Sequence, residues 1–168
     1  MNVLSVSNRQ PQRGPPELAY GGILRAFGAI QRVMRPYFLQ YGLTQSQWAI
    51  LRLLYRVEHN GRPEGLRMVE IGQRILVQPP SVTTLVRRLT KAGLTVHAPA
   101  PNDRRGVHLR LTARGNALVE RVLLGHRRQI RKVAGGLGAR DLRRFCDLLE
   151  RFNDHVTSLL AQPPEPGH

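Results

Sequence analysis

The sequence predicts a mainly α-helical chain that carries one small β-hairpin. Apolar residues recur at three- and four-residue intervals along most of the chain, which is the spacing of helices with one buried face. Glycine and proline clusters interrupt this pattern, and two short runs rich in β-branched residues flank the turn "APNDRRG". With 168 residues, the chain has about the length of one domain.

The two ends of the chain differ in composition from the part between them. Residues 1–16 and 162–168 are rich in proline, glycine and polar residues, so we expect disordered tails there. The predicted folded domain covers residues 17–161. Its first helix covers residues 17–41 and is ended by Gly42. The apolar positions of that helix are Leu18, Ile23, Leu24, Phe27, Ile30, Val33, Met34, Tyr37 and Phe38.

Two helices follow, and the sequence signals for the first are stronger than those for the second. "LTQSQWAILRLLYRV" carries a capping box, with Thr44 as the N-cap and Gln47 three positions later, so a helix is predicted to start there. "LRMVEIGQRIL" predicts a short, weak helix, because Gly72 in its middle costs about 1 kcal/mol relative to alanine. The apolar stripe of the first of these two helices consists of Trp48, Leu51, Leu54 and Tyr55.

"PPSVTTLVRRLTKAG" predicts a fourth helix over residues 80–92, ended by Gly93. Pro80 is expected at the first helical position, because a proline disfavours helical angles at the residue before it. Small hydroxyl groups followed by cations are what a helix needs to enter a DNA major groove. Taken alone, this helix is explained better by a solvated basic face. The inward face is Val82, Leu85, Val86 and Leu89, and the opposite face and its shoulders hold Pro80, Ser81, Thr83, Thr84, Arg87, Arg88 and Lys91.

The charge of the chain is large and unevenly distributed. Lysine and arginine number 26 against 11 acidic residues, a formal charge of +15, which favours a polyanionic partner or an anionic membrane surface. Between Gln78 and Lys132 there are 12 cations and 2 anions, so +10 of the +15 lies in about a third of the chain. Such a concentration is typical of a surface that binds nucleic acid.

Other functional classes receive little support from the sequence. Cys146 is the sole cysteine, so neither an intrachain disulfide nor a thiolate zinc site is expected. We expect no membrane span, signal peptide, metal, cofactor or enzymatic activity, and we expect a cytoplasmic location. His97 and His108 could face each other across the hairpin, although a solvated pair explains them better.

The runs "LTVHAP" and "GVHLRLT" predict a hairpin over residues 95–111, with Arg104 and Arg105 near its tip. Two helices followed by a basic hairpin resemble a winged helix-turn-helix, and the sequence resembles the MarR family of transcription factors in particular. The wing signature of that family is present as Asp103, Arg105, Leu111 and Thr112. "LTQSQWAILRLL" resembles the family's second helix, and "QPPSVTTLVRRLTKAGL" resembles its recognition helix.

The resemblance implies that residues 44–112 bind double-stranded DNA. The recognition helix 80–92 would enter the major groove and the wing 95–111 the minor groove. Arg105 would insert into the minor groove, held by Asp103, while Arg104 contacts the backbone. A turn-stabilising ion pair is the competing explanation for Asp103 and Arg105. The implied DNA-binding residues are Pro80, Ser81, Thr83, Thr84, Arg87, Arg88, Asp103, Arg104 and Arg105.

The sequence also departs from the family pattern at four positions. Thr95 and His97 stand where the family usually has an aliphatic residue and an arginine, which weakens one expected phosphate contact. Arg67 stands where a helix-capping serine or threonine is common, and Gly72 where alanine is common. We therefore expect the first helix of the motif to be looser than usual.

The terminal helices are expected to form a homodimer. Residues 113–161 predict a long helix, a break at Gly135 and Gly136, and an amphipathic helix. In the family, the first and last helices of two subunits interlock, which implies a homodimer on a pseudo-palindromic operator. Packing within one chain is the competing explanation for either stripe alone. Members of the family are most often repressors, so the resemblance also implies a repressor. A non-specific or architectural nucleic-acid binder is the alternative. The stripe of the last helix is Leu142, Phe145, Leu149, Phe152, Val156 and Leu159.

Ligand binding and oxidant sensing, which occur in some members of the family, are alternatives to simple core packing as explanations of several aromatic residues and of Cys146. Some members bind a small aromatic ligand, and Tyr37, Tyr41, Trp48 and Arg52 lie in the segments that would line its cleft. Core packing explains the aromatic residues equally well, and the sequence does not identify a ligand. Some members sense oxidants through cysteine, but Cys146 lies on the last helix, where we expect a buried structural thiol.

Overall fold

The computed structural model describes residues 14–75, 79–100 and 103–160, without the side chains of residues 79–81, 100 and 103–106. The fold is mainly α-helical with a small antiparallel sheet, as predicted. Its elements are α1 (Pro15–Leu39), α2 (Gln45–His59), β1 (Leu66–Arg67), α3 (Met68–Arg74), α4 (Pro79–Lys91), β2 (Thr95–Ala100), β3 (Asp103–Leu111), α5 (Ala113–Ala134) and α6 (Ala139–Leu160).

Several helix boundaries follow the local signals in the sequence. Thr44 and Gln47 form the predicted reciprocal capping box of α2. Gly42 and Gly93 both adopt positive φ, which a glycine reaches without strain, in the turns that follow α1 and α4. The predicted break after α5 is present, because α5 ends at Ala134.

The starts of α1 and α4 differ from the prediction, and most of each predicted tail lies outside the described residues. The N-terminal tail is too long by two residues, because α1 begins at Pro15. Helix α4 begins at Pro79, so the placement of Pro80 at the first helical position was wrong by one residue. A proline is tolerated throughout the first turn, where backbone N–H groups have no partner within the helix. Residues 1–13 and 161–168 lie outside the described part of the chain.

The hairpin is part of a three-stranded sheet in the order β1-β3-β2. Strand β1 was not predicted from the sequence; it pairs Leu66 with Leu109 of β3. The register between β2 and β3 shifts at the tip, where Pro99 opposes Val107 but Ala100 opposes Asp103. This irregularity leaves more residues on β3 than on β2, as a β-bulge does.

One hydrophobic core joins these elements up to the middle of α5. Tyr37 and Phe38 of α1 pack edge to face, and the Phe38 ring stacks on Trp48 at 5.8 Å between centroids. The Tyr37 hydroxyl donates a hydrogen bond to the carbonyl of Val122. The core also includes Met34, Leu43, Ile50, Leu51, Leu54, Leu66, Ile71, Ile75, Val82, Val86, Leu89, Leu94, Leu109, Leu111, Leu118 and Val119.

The chain divides into two compact units, Met1–Leu124 and Gly125–His168. In the first unit, the N-terminal part of α1 exposes apolar side chains, with Leu18 55% and Phe27 46% exposed. In the second unit, α6 contains no buried residue, and Phe152 on its apolar stripe is 41% exposed. The thiol of Cys146 is exposed as well, so the expectation of a buried thiol is wrong for the single chain.

Candidate nucleic-acid interface

Helix α4 presents its polar face to solvent because its apolar face is packed into the core. Val82, Val86 and Leu89 are buried, and Leu85 is partly buried against the same cluster. That orientation leaves Thr83, Arg87, Arg88 and Lys91 exposed, while Thr84 is half-buried. Pro80 and Ser81 lie in the first turn of α4. The helix contains no acidic residue, so every charge on its exposed face is positive.

The end of α4 is fixed to the start of the sheet. Gly93 and Leu94 donate backbone hydrogen bonds to the carbonyls of Thr90 and Leu89. The hydroxyl groups of Thr90 and Thr95 lie 3.0 Å apart, within hydrogen-bond distance. Thr95 is one of the departures from the family pattern, and here it joins the recognition helix to β2.

Thr112, the last residue of the wing signature, connects three elements. Its hydroxyl donates to the carbonyl of Gly93 at 2.7 Å and accepts from the N–H of Gly115 at 3.0 Å, which caps α5. Its own N–H donates to the carbonyl of Leu94 at 3.1 Å. A Cβ atom at Gly115 would lie 2.1 Å from that same carbonyl oxygen, so the close approach requires glycine.

The base of the wing is held by a carboxylate from α2. Glu58 Oε1 accepts a 2.7 Å hydrogen bond from the N–H of Leu111. Burial raises the pKa of Glu58 above its ordinary value, and the hydrogen bond from Leu111 and the charge of Arg110 act in the opposite direction. A second close contact lies nearby, because a Cβ atom at Gly65 would lie 2.1 Å from the carbonyl oxygen of Leu109.

The wing arginines lie on β3 rather than in the turn. Asp103, Arg104 and Arg105 belong to that strand, within three residues of its start, and Asp103 opposes Ala100. The strand assignment places all three next to the tip of the hairpin, as expected. Their side chains lie outside the described part of the chain, so their roles at DNA remain predictions.

A family model described as "MarR family" matches residues 41–106, the segment that contains α2, the recognition helix and the start of β3. The regulator NadR, solved with 4-hydroxyphenylacetate, superimposes with a TM-score of 0.68 at 30% identity, over 85% of this chain and 97% of NadR. The chain belongs to the MarR family. It is a winged helix-turn-helix transcriptional regulator, and the sequence-based identification is confirmed.

One further relative is similar in sequence, and one further solved structure shares the fold. The transcriptional regulator FarR of Neisseria gonorrhoeae is 36% identical over 101 residues, which cover 60% of this chain. Those residues span 65% of FarR, slightly less than two thirds of its length. A cysteine-to-serine mutant of Escherichia coli MarR, solved with operator DNA, has a TM-score of 0.69 at 24% identity and covers 80% of this chain and 92% of that structure.

An ion-pair cluster that was not predicted from the sequence positions α3, the first helix of the motif. Arg62 Nη1 lies 2.8 Å from Glu70 Oε1, and Arg62 Nε lies 3.3 Å from Glu64 Oε1. Glu70 Oε2 accepts from the N–H of Arg67 at 2.8 Å, which caps the helix start although no serine or threonine is present. The hydrogen bond from Arg62 lowers the pKa of Glu70. These contacts oppose the looseness expected for α3.

A cleft opens between α1, α2 and the end of α3. It combines the ring of Phe27 with the cations Arg52, Arg56 and Arg74, so its lining is part apolar and part basic. Of the residues that the sequence proposed for a ligand cleft, Arg52 lines it. Trp48 and Tyr37 instead lie in the core. The remaining lining residues are Gln31, Gln45, Ser46, Ala49, Leu53 and Ile75.

The two wing histidines do not face each other, so that possibility was wrong. His97 opposes Leu109 and is exposed, whereas His108 opposes Ala98 and is buried. The prediction of a solvated pair is therefore wrong for His108. Among the described residues, no group of histidine, cysteine and acidic side chains could hold a metal ion. Within the same part of the chain, no helix is long and apolar enough to span a bilayer.

Proposed function

We propose that this MarR-family protein is a cytoplasmic, homodimeric repressor that binds a pseudo-palindromic operator. The proposal rests chiefly on α4, whose apolar face is buried while Thr83, Arg87 and Arg88 stay exposed. A rigid helix with hydroxyl and guanidinium groups on its exposed face can read base edges in a major groove. Arg105 of the wing would occupy the adjacent minor groove, where negative potential attracts a guanidinium.

A second copy of the chain would cover the apolar side chains that a single chain exposes. Such side chains occur on α1 and on α6, and each group on its own is an unpartnered helix face. Two copies related by a two-fold axis would present two recognition helices, and so read half-sites whose centres lie about 10 base pairs apart. Bound across a promoter, the dimer would block access of the polymerase.

The deciding experiment is selection of bound duplexes from a random pool at about 150 mM salt, where binding through phosphates alone is weak. An enriched pseudo-palindrome supports the proposal, whereas binding without enrichment supports the non-specific alternative. Arg87→Ala should then weaken operator binding. It should also make the slope of the logarithm of the binding constant against the logarithm of the salt concentration less steep, by about 0.9 per lost phosphate contact. Arg140→Ala, at an exposed cation of α6, is the control and should leave both unchanged.

Dimerisation is tested separately from DNA binding. Phe152→Asp places a charge on the α6 stripe and should convert the protein to a monomer in analytical ultracentrifugation at micromolar concentration. Phe152 is exposed in the single chain, so the monomer should keep its helical circular dichroism. A variant that remains dimeric would exclude this stripe from the interface.

We further propose that a small aromatic acid occupies the cleft and releases the operator. Phe27 offers a ring for stacking, and the three guanidiniums Arg52, Arg56 and Arg74 offer partners for a carboxylate. NadR, which is similar in fold and 30% identical, was solved with 4-hydroxyphenylacetate. Titration with 4-hydroxyphenylacetate and salicylate should raise the melting temperature of the parent but not of Arg52→Ala. Equal shifts for both proteins would exclude this cleft.

A further inference from the structure

An apolar groove separates α3 from the recognition helix α4. Its lining consists of Met68, Val69, Gly72, Gln73, Val82 and Thr83. Val69 is 70% exposed, although burying an apolar side chain away from water would be favourable in free energy. A Cβ atom at Gly72 would meet no other atom within 4 Å, so the groove is open at this residue.

The groove is continuous with the face of α4 that is proposed to enter the major groove. Thr83 belongs to both surfaces, since it lines the groove and is exposed one helical turn before Arg87. In the major groove, the apolar group that distinguishes one base from the others is the C5-methyl of thymine. A carbon-lined groove beside a DNA-reading helix suits that methyl group better than it suits a phosphate or an amino group.

We propose that the α3–α4 groove receives the C5-methyl group of one thymine in each operator half-site. Val69 and the methyl group of Thr83 would form its walls, and the missing side chain at Gly72 would give it its depth. This inference rests on the proposed function, and it adds a base preference that arises from α3 as well as α4.

The test replaces each thymine of the selected operator by deoxyuridine, one at a time, and measures the dissociation constant by fluorescence anisotropy. Deoxyuridine lacks the methyl group and keeps the Watson–Crick edge. One position per half-site should lose about 3- to 5-fold in affinity, as expected for one buried methyl group, and the other positions should change less. Equal affinity at every position would overturn the inference while leaving the proposed function intact.

Two variants assign the methyl preference to the groove. Gly72→Ala fills the open space and should reduce the preference for thymine over deoxyuridine to less than about 2-fold, and Val69→Ala should weaken it by removing a wall. Gly138→Ala is the matched control, because a Cβ atom there also meets nothing within 4 Å, and it should keep the parental preference. A parental preference in Gly72→Ala would exclude the groove. Failure of the selection to enrich any duplex would instead overturn the proposed function and this inference with it.

Discussion

The hydrogen bond between Glu58 and the N–H of Leu111 should be needed to hold the wing to the helical body. At 2.7 Å it satisfies a partly buried backbone donor at the point where β3 ends. Glu58→Ala leaves that donor without its acceptor, which costs about 1–3 kcal/mol of the free energy of unfolding. Glu58→Gln keeps an oxygen acceptor of the same shape without the charge, so it should stay within about 0.5 kcal/mol of the parent at pH 7.

The pH dependence gives an independent check on this prediction. Burial raises the pKa of Glu58. At a pH between the ordinary and the raised pKa, the folded state therefore holds a proton that the unfolded state has lost. The contribution of Glu58 to stability therefore falls as pH rises from its ordinary pKa of 4.5 to the raised value, and is constant above it. The glutamine in Glu58→Gln does not titrate. As pH rises through that window, the parent should therefore lose stability relative to Glu58→Gln.

Urea unfolding from about pH 4 to 7.5, followed by circular dichroism, measures both effects, and exchange of the Leu111 amide reports the wing locally. Glu120→Ala and Glu120→Gln are controls, because Glu120 is an exposed acid on α5. Two results would contradict this role of the hydrogen bond: Glu58→Ala is as stable as the parent, or Glu58→Gln loses as much stability as Glu58→Ala. In either case the hydrogen bond would not hold the wing.

Three other substitutions test the contacts around the motif by the same unfolding assay. Arg62→Ala should cost at most about 1 kcal/mol near pH 7. The difference should vanish as pH falls through the lowered pKa of Glu70, because protonation of Glu70 removes from the parent the ion pair that the variant already lacks. Gly115→Ala should cost about 1–3 kcal/mol, because its Cβ atom would collide with the Leu94 carbonyl. Gly72→Ala should stabilise the protein by up to about 1 kcal/mol, because it removes a helix-interior glycine and meets open space. A destabilised Gly72→Ala would contradict the open groove.

The features that the sequence predicted are those determined by neighbouring residues. The capping box of Thr44 and Gln47 lies within one helical turn, and the glycine at the end of α4 acts on adjacent peptide groups. The buried face of α4 follows from three- and four-residue spacing alone. The resemblance to the MarR family added the expected roles of the wing residues, which spacing could not supply and which stay predictions.

The features that the sequence missed depend on contacts between distant residues. Strand β1 has two residues, and it exists because Leu66 and Arg67 pair with Leu109 and His108 of β3, far along the chain. The hydrogen bond from Leu111 to Glu58 spans 53 positions. A lone glutamate at the end of a helix gives no local signal of such a partner. The pairing of Arg62 with Glu70 was closer, at eight positions, but it crosses a loop whose path the sequence does not define.

The contacts at Leu94 limit how the proposed ligand would release the operator. Thr112 donates hydrogen bonds to the carbonyls of both Gly93 and Leu94, and Gly115 packs against the Leu94 carbonyl. The end of the recognition helix, the end of the wing and the start of α5 therefore share one short stretch of backbone and cannot turn independently. A ligand in the cleft, as proposed, contacts α1, α2 and the end of α3 but not the wing. It would consequently release the operator by moving the helix and the wing together. The distance between the two recognition helices of the proposed dimer would then no longer match the spacing of the operator half-sites, while the base preference of each recognition helix would stay the same.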